Sequence, residues 1–356
     1  MKYFHNKYIN FLDELYGNFQ FVNSDKVLIP NGQYIYHKKN FSKYFKLNEK
    51  RFKNKNILET GSGPGVHATI LARMGANVKA VDISPKNIQK IKNFKKKYNL
   101  PNLSFQLYDL TKQYNKKLKY DLISCHNWVQ HTPNPSLVLN NLKNNLNING
   151  LIYISCYHAN TFRFLIAQVN RSLLSINDFK KTKEIFTYFI KEGFEQFKNP
   201  DDINMENFFD DTFTPYCVTI NYDNLIKDMK KIGFICVSKI PKFKNIQNID
   251  NVFLRASFKK IKEVDIYKKN LSFQKPIDEL NINNNSINKE TYQLLNKAIK
   301  IMKKKDIYLR SIFCINLYLI RSKFSKDSTN AKFKILNNYL LRVVSNKLDN
   351  IRLIKI

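Results

Sequence analysis

From Asn54 onward, short apolar runs alternate with stretches whose apolar residues recur every three or four positions. That alternation predicts a parallel sheet flanked by helices. The first strand ends at Glu59, and Val66, Ile70, Leu71 and Met74 predict a helix that closes at Gly75. Asn77–Ile83 reads as the second strand. Ser84 then offers an N-cap and Pro85 a first helical position, with Ile88, Ile91 and Phe94 on the buried side. Leu103–Leu107 and Tyr120–Cys125 read as the third and fourth strands. Pro135 opens a helix through Val138, Leu139, Leu142 and Leu146, expected to end at Gly150, before a fifth strand at Leu151–Tyr157. A helix at Tyr222–Lys231, ended by Gly233, and strands at Phe234–Ile240 and Val252–Phe258 would complete seven strands, one of them an antiparallel edge member. The fold class expected is α/β.

Around this core the pattern changes. Residues 1–50 are aromatic and basic, with Phe11, Leu12, Leu15 and Tyr16 at helical spacing and a looser stretch from Pro30 to His37; they read as a cap segment in which Tyr34 or His37 could border a substrate pocket. The core is expected over 51–260. Residues 158–215 have no place in a minimal sheet and read as a lid insertion. Residues 261–356 begin with an Asn-rich linker at Asn281–Ser286. Helical patterns follow on Tyr292, Leu295, Ile299 and Met302, and on Ile312, Ile315 and Leu319. This extension is expected to serve packing or dimerisation.

The chemistry concentrates in Asn56–Gly65, Asn-Ile-Leu-Glu-Thr-Gly-Ser-Gly-Pro-Gly. A strand, a glycine loop and a helix in that order make a nucleotide-type site at the carboxyl end of a strand. A dinucleotide fingerprint would need its third glycine at position 66, which is Val66, and a phosphate-binding P-loop would need a lysine where none stands between Lys55 and Lys79. What remains is acidic-x-Gly-x-Gly-x-Gly. A carboxylate in front of the loop repels a pyrophosphate but favours a cationic, zwitterionic ligand. The stretch resembles motif I of the class I S-adenosylmethionine-dependent methyltransferases. Asp82, ending the second strand about twenty residues past the first glycine, can accept both ribose hydroxyls. The segment His131-Thr132-Pro133-Asn134-Pro135 is similar to the His-His-Thr-Pro-Asn-Pro segment of many small-molecule members, with Gln130 in place of the first histidine.

The resemblance implies a Rossmann-like sheet and S-adenosyl-L-methionine as cofactor, with S-adenosyl-L-homocysteine as product and no metal. It implies cofactor contacts from Glu59, Gly61, Ser62, Gly63, Gly65, Asp82, Ile83 on the adenine face, Asp109 and Leu110 at the adenine amino group, and His126. Methyl transfer to an O, N or C nucleophile needs alignment and, where the nucleophile carries a proton, a base. His131 is the first candidate, His126 the second and His158 a further one. The paired carboxylates Asp210 and Asp211 could bind a cationic group or assist deprotonation.

Composition adjusts the choice of acceptor. The net charge is +32, yet only nine of the 60 basic residues are Arg, and Asn, Ile, Phe and Tyr are abundant, as an A+T-rich coding sequence would produce. Arg is the better fork for phosphates and base edges, so nucleic acid is not the favoured partner. No Asn/Asp-Pro-Pro-Tyr/Phe and no Pro-Cys follows the fourth strand, which removes several nucleic-acid-modifying types. A small-molecule acceptor is the first expectation. An RNA-modifying enzyme using the lysine-rich surface and a cofactor-binding scaffold without catalysis are the alternatives. Five scattered cysteines without a Cys-x-x-Cys pair suggest neither zinc nor disulfides. With no membrane span in the pattern, a cytoplasmic protein is expected, with a homo-oligomer through the C-terminal helices an open option.

Overall fold

The computed structural model describes residues 29–112, 118–158, 161–192, 205–240, 253–264, 289–323 and 329–345. The expected features at Phe11–Tyr16 and Asn281–Ser286 lie outside them. Seven strands, β1 (Asn56–Thr60), β2 (Asn77–Asp82), β3 (Leu103–Leu107), β4 (Tyr120–His126), β5 (Leu146–Tyr157), β6 (Phe234–Ile240) and β7 (Phe253–Lys260), form one sheet in the order β3-β2-β1-β4-β5-β7-β6. The first five pair in parallel, and β7 runs antiparallel to both β5 and β6. The antiparallel strand is therefore internal and not the edge member expected. Leu254, Ala256, Ser257 and Phe258 of β7 are all buried, which suits an inner position, whereas β6 exposes Ile235 and takes the edge.

Alternation along the strands sorts side chains onto two faces. Ile57, Val78, Leu122 and Tyr153 join one core, under the helices α1 (Asn31–Phe45), α2 (Val66–Arg73) and α3 (Pro85–Lys97). Leu58, Val81, Ile123, Ile152 and Ile154 join the other, under α4 (Pro135–Asn144) and a later helix at Tyr222–Lys231. The stretch read as loose from Pro30 to His37 is the start of α1, held by burial of Phe41, Tyr44 and Phe45 at helical spacing. Ser84 caps α3 by accepting from Asn87 N–H, with Pro85 at the first position.

The helix from Pro135 stops at Asn144, well before Gly150, and β5 begins at Leu146. The Tyr120 N–H donates to Asn145 C=O, and the register shifts between Tyr120 and Leu122. Gly150 serves that irregularity rather than a helix end: a Cβ there would come within 2.9 Å of Asp121 O.

The chain divides into two compact units, one drawn from Met1–His158, Tyr216–Lys244 and Phe253–Lys275, the other from Ala159–Pro215, Asn245–Val252 and Pro276–Ile356. The sheet belongs to the first. The second is helical: α5 (Phe162–Leu173), α6 (Phe179–Lys191) and α7 (Met205–Phe213) come from the insertion, and the C-terminal extension adds α9 (Lys289–Met302), α10 (Ile307–Lys323) and α11 (Thr329–Val344), with α8 (Tyr222–Lys231) lying in the first unit. Insertion and extension, separate in the sequence, thus share one core. Phe179, Phe186, Phe208, Phe209 and Tyr318 pack ring to ring in it. Arg163 clamps the Asp211 carboxylate through Nε at 2.7 Å and Nη2 at 2.8 Å, both residues buried.

In the sheet unit, Lys260 is fully buried at the end of β7, and its ammonium donates to Lys143 O, Leu146 O and Glu263 Oε1, each at 2.8 Å. It satisfies carbonyls at and just beyond the C-terminal turn of α4. Lys260→Met should lower stability by about 2–3 kcal/mol, because those carbonyls lose a charged donor. The midpoint of denaturant unfolding checks this.

Candidate cofactor and active site

Strand parity collects the polar groups of the site. Two residues beyond Ile57 is Glu59, beyond Leu122 come Ser124 and His126, and beyond Tyr153 is Ser155, all on the α1–α3 face. Register sets Glu59 beside Ser124, Ser124 beside Tyr153, and His126 beside Ser155. The first turn of α2 lays His67 over these strands. Its Nδ1 is 3.8 Å from Glu59 Oε1, and its ring meets those of His126 at 4.4 Å and His37 at 4.6 Å, edge to face. Tyr44 of α1 stacks on Tyr153 at 4.5 Å.

Glu59 is 1% exposed, and its Oε2 is buried without a hydrogen-bond partner. Burial pushes its carboxyl up to about 8, with the nearby Ser124 hydroxyl working in the other direction. Burial likewise lowers His67 well below the ordinary histidine value, and the neighbouring His126 and His37 lower it further. His126 is lowered to about 3 by burial, then by Arg255 and His37. At neutral pH this is a cluster of uncharged imidazoles around a protonated carboxyl. Its acid has one oxygen with nothing to bind.

The glycine loop crosses in front of Glu59. Gly61, Gly63 and Gly65 all have positive φ, at 56°, 52° and 89°. Gly61 and Gly65 are fixed by packing as well, since a Cβ would fall 2.4 Å from Trp128 Cγ and from Ile91 Cγ1 respectively. Gly63 differs: a Cβ there would meet nothing within 4 Å. Its backbone therefore borders open space, which a ligand can enter. Ser62 is spent on the fold, its N–H and hydroxyl both directed at Val81 O.

Asp82 ties the loop to the second crossover. Its Oδ2 accepts from Gly63 N–H at 2.8 Å, and its Oδ1 accepts from Ser84 N–H at 2.9 Å and Asn87 Nδ2 at 3.2 Å. Burial raises the carboxyl, and the donors at Ser84, Asn87 and Gly63 pull it back. Oδ2 keeps a lone pair beyond the Gly63 bond. Ile83 stands half-buried just beyond it. Asp109 follows β3, its Oδ1 accepting from Thr111 N–H and hydroxyl, and Leu110 is buried in the opposite core.

The turn after β4 carries the other histidine. His131 ends a single 3-10 turn, with Nδ1 3.1 Å from Tyr216 O and its ring edge-on to Tyr157. A carbonyl only accepts, so Nδ1 holds the proton and Nε2 the lone pair a base would use. Gln130 beside it is fully buried with both side-chain amide atoms unbonded. Trp128 lies on Gly61 and donates from Nε1 to Thr60 Oγ1 at 2.9 Å. His158 rests near the Tyr222 ring. Asp210 and Asp211 belong to the helical unit, where Asp211 is engaged by Arg163.

The structure thus brings Glu59, Gly63, Asp82 and His126 into one neighbourhood and adds His67, which sequence reasoning did not single out. Its signal was faint: a histidine one residue past Val66, in a helix read only for its apolar side. No group of three or more His, Cys, Asp or Glu among the described residues is arranged to hold a metal ion, and no described helix is long and apolar enough to cross a membrane.

A family model described as a methyltransferase domain matches residues 51–193. This part of the chain is therefore similar to methyltransferase domains. The ubiquinone biosynthesis O-methyltransferase of Coxiella burnetii (strain Dugway 5J108-111) is 28% identical over 113 residues, covering 32% of this chain and 48% of that protein. The protein of the same name from Glaesserella parasuis serovar 5 is 24% identical over 155 residues, 40% of this chain and 65% of its own. The chain spans about half the length of the first of these relatives. Among solved structures, magnesium protoporphyrin IX methyltransferase from Synechocystis with bound S-adenosylmethionine is 14% identical, with a TM-score of 0.42 over 73% of this chain and 94% of that one.

The open backbone at Gly63 and the unbonded Glu59 oxygen fit this cofactor. A carboxyl held near 8 in the fold, against an ordinary value of 4.5, binds its proton more tightly folded than unfolded. Its contribution to stability is whole below about pH 4.5 and is lost as pH rises through about 8. Glu59→Gln, which cannot ionise, should therefore be more stable than the parent above neutral pH, by on the order of 1–3 kcal/mol, and bind S-adenosylmethionine more weakly. Melting curves at pH 5 and pH 9, beside a binding titration, check both halves.

Proposed function

We propose that this protein transfers the methyl group of S-adenosylmethionine to a small-molecule acceptor. The observation that carries the reading is the meeting of Glu59, the open Gly63 backbone and Asp82 around one loop. Bound there, the cofactor would supply a methyl group on a sulfonium, which an in-line nucleophile displaces with a neutral thioether leaving.

Glu59 would face the ammonium of the amino-acid end. Asp82 would accept from the ribose through the lone pair left on Oδ2, while its other bonds keep the loop in shape. Ile83 would lie against the adenine, with Asp109 and the Leu110 backbone at its amino group. His131, its proton held at Nδ1 by the Tyr216 carbonyl, would receive the acceptor's proton at Nε2. An oxygen acceptor suits that base and agrees with the names of the relatives.

Methyl-labelled S-adenosylmethionine incubated with a cell extract tests the reading. Label is expected in small organic molecules, and label in RNA would overturn the acceptor class. Asp82→Ala should weaken cofactor binding by about tenfold or more, since it removes an acceptor and frees the Gly63 N–H. Unchanged affinity in a direct titration would refute the cofactor assignment. His131→Asn should lower kcat by about a hundredfold or more while leaving cofactor affinity within a few fold.

A further inference from the structure

Where Glu59 meets His67, a buried acid stands against a partly buried imidazole, and among the described residues no other acidic side chain lies within ion-pair distance of that imidazole. His67 Nδ1 is 3.8 Å from Glu59 Oε1, the remaining Glu59 oxygen is unbonded, and the His67 ring is flanked by two more imidazoles. The groups around the pair are His37 and Tyr44 from α1, His126 from β4, Tyr153 from β5, and Arg255 from β7, which acts on His126 and Tyr44.

We propose that one proton passes from Glu59 to His67 on ligand binding and that this transfer recognises the zwitterionic amino-acid end of S-adenosylmethionine. In the free protein both groups are neutral. On binding, the O–H bond of Glu59 breaks and an N–H bond forms at His67 Nδ1. The carboxylate then faces the ligand's ammonium and the imidazolium its carboxylate. No proton enters or leaves, and no net charge is added to a buried pocket.

Three observations support this over a fixed ion pair. A permanent carboxylate would sit fully buried with the Ser124 hydroxyl as its one nearby donor and no hydrogen bond at Oε2, which is costly. A permanent imidazolium would sit between two imidazoles with one anion for partner. The directions in which burial moves the two groups, up for Glu59 and down for His67, agree with the neutral pair. A ligand carrying both charges removes both objections together. This inference rests on the methyl-donor reading of the site.

The test is calorimetric titration of the whole chain with S-adenosylhomocysteine, which keeps the amino-acid end, in buffers of different ionisation enthalpy. The companion measurement is histidine ¹⁵N NMR of the unsubstituted protein, which requires no variant to fold. Binding should exchange close to zero protons, and the His67 resonances should move from the neutral to the imidazolium pattern. 5′-Methylthioadenosine, which lacks the amino-acid end, should leave His67 neutral. In His67→Asn the Glu59 proton has nowhere to go, so binding should release about one proton and affinity should rise about tenfold per pH unit up to about pH 8. Release of a proton by the unsubstituted protein, or a His67 that stays neutral in the complex, would overturn the proton transfer. If neither ligand binds, the methyl-donor reading falls as well.

Discussion

The Asp82 carboxylate holds the site together. It accepts from the Gly63 N–H of the first crossover and from Ser84 and Asn87 of the second, so one side chain fixes two connections that leave neighbouring strands. Such donors compensate the burial of a carboxyl and would be left unsatisfied without it. The glycine loop keeps its positive φ angles between this tether on one side and Trp128 on the other. What the loop presents to a ligand depends on both contacts.

Much of this was legible in the sequence because it is local. The strand at Leu103–Leu107, the Ser84-Pro85 helix start and the helix at Tyr222–Lys231 follow from periodicity and capping, and the structure has them at those residues. The glycine loop and its acidic neighbour follow from motif spacing. Less legible was anything set by pairing across distance. That β7 lies inside β6 depends on which strand can be buried on both edges, a property of the finished sheet. That β5 starts at Leu146 depends on its pairing with Tyr120, not on Gly150, which looked like a helix end.

The same limit explains the site. Glu59, Ser124, His126 and Tyr153 share a face because their strands are in register, and no linear spacing between positions 59 and 153 announces it. Asp210 and Asp211 look like a pair of free acids in sequence. In the fold, the second is the counter-ion of Arg163, forty-eight residues earlier, within a helical unit that the insertion builds together with the C-terminal extension. That shared core gives the extension's apolar faces a place inside the chain.

Trp128 is the single tryptophan of the chain, and its indole rests on Gly61 with Nε1 bonded to Thr60. Ultraviolet emission excited at the red edge of protein absorbance would therefore come from one place, the turn that roofs the glycine loop. The molecule carries its own optical reporter there. A shift in emission wavelength or quenching on adding a ligand reads the loop directly, without a label and without background from the helical unit.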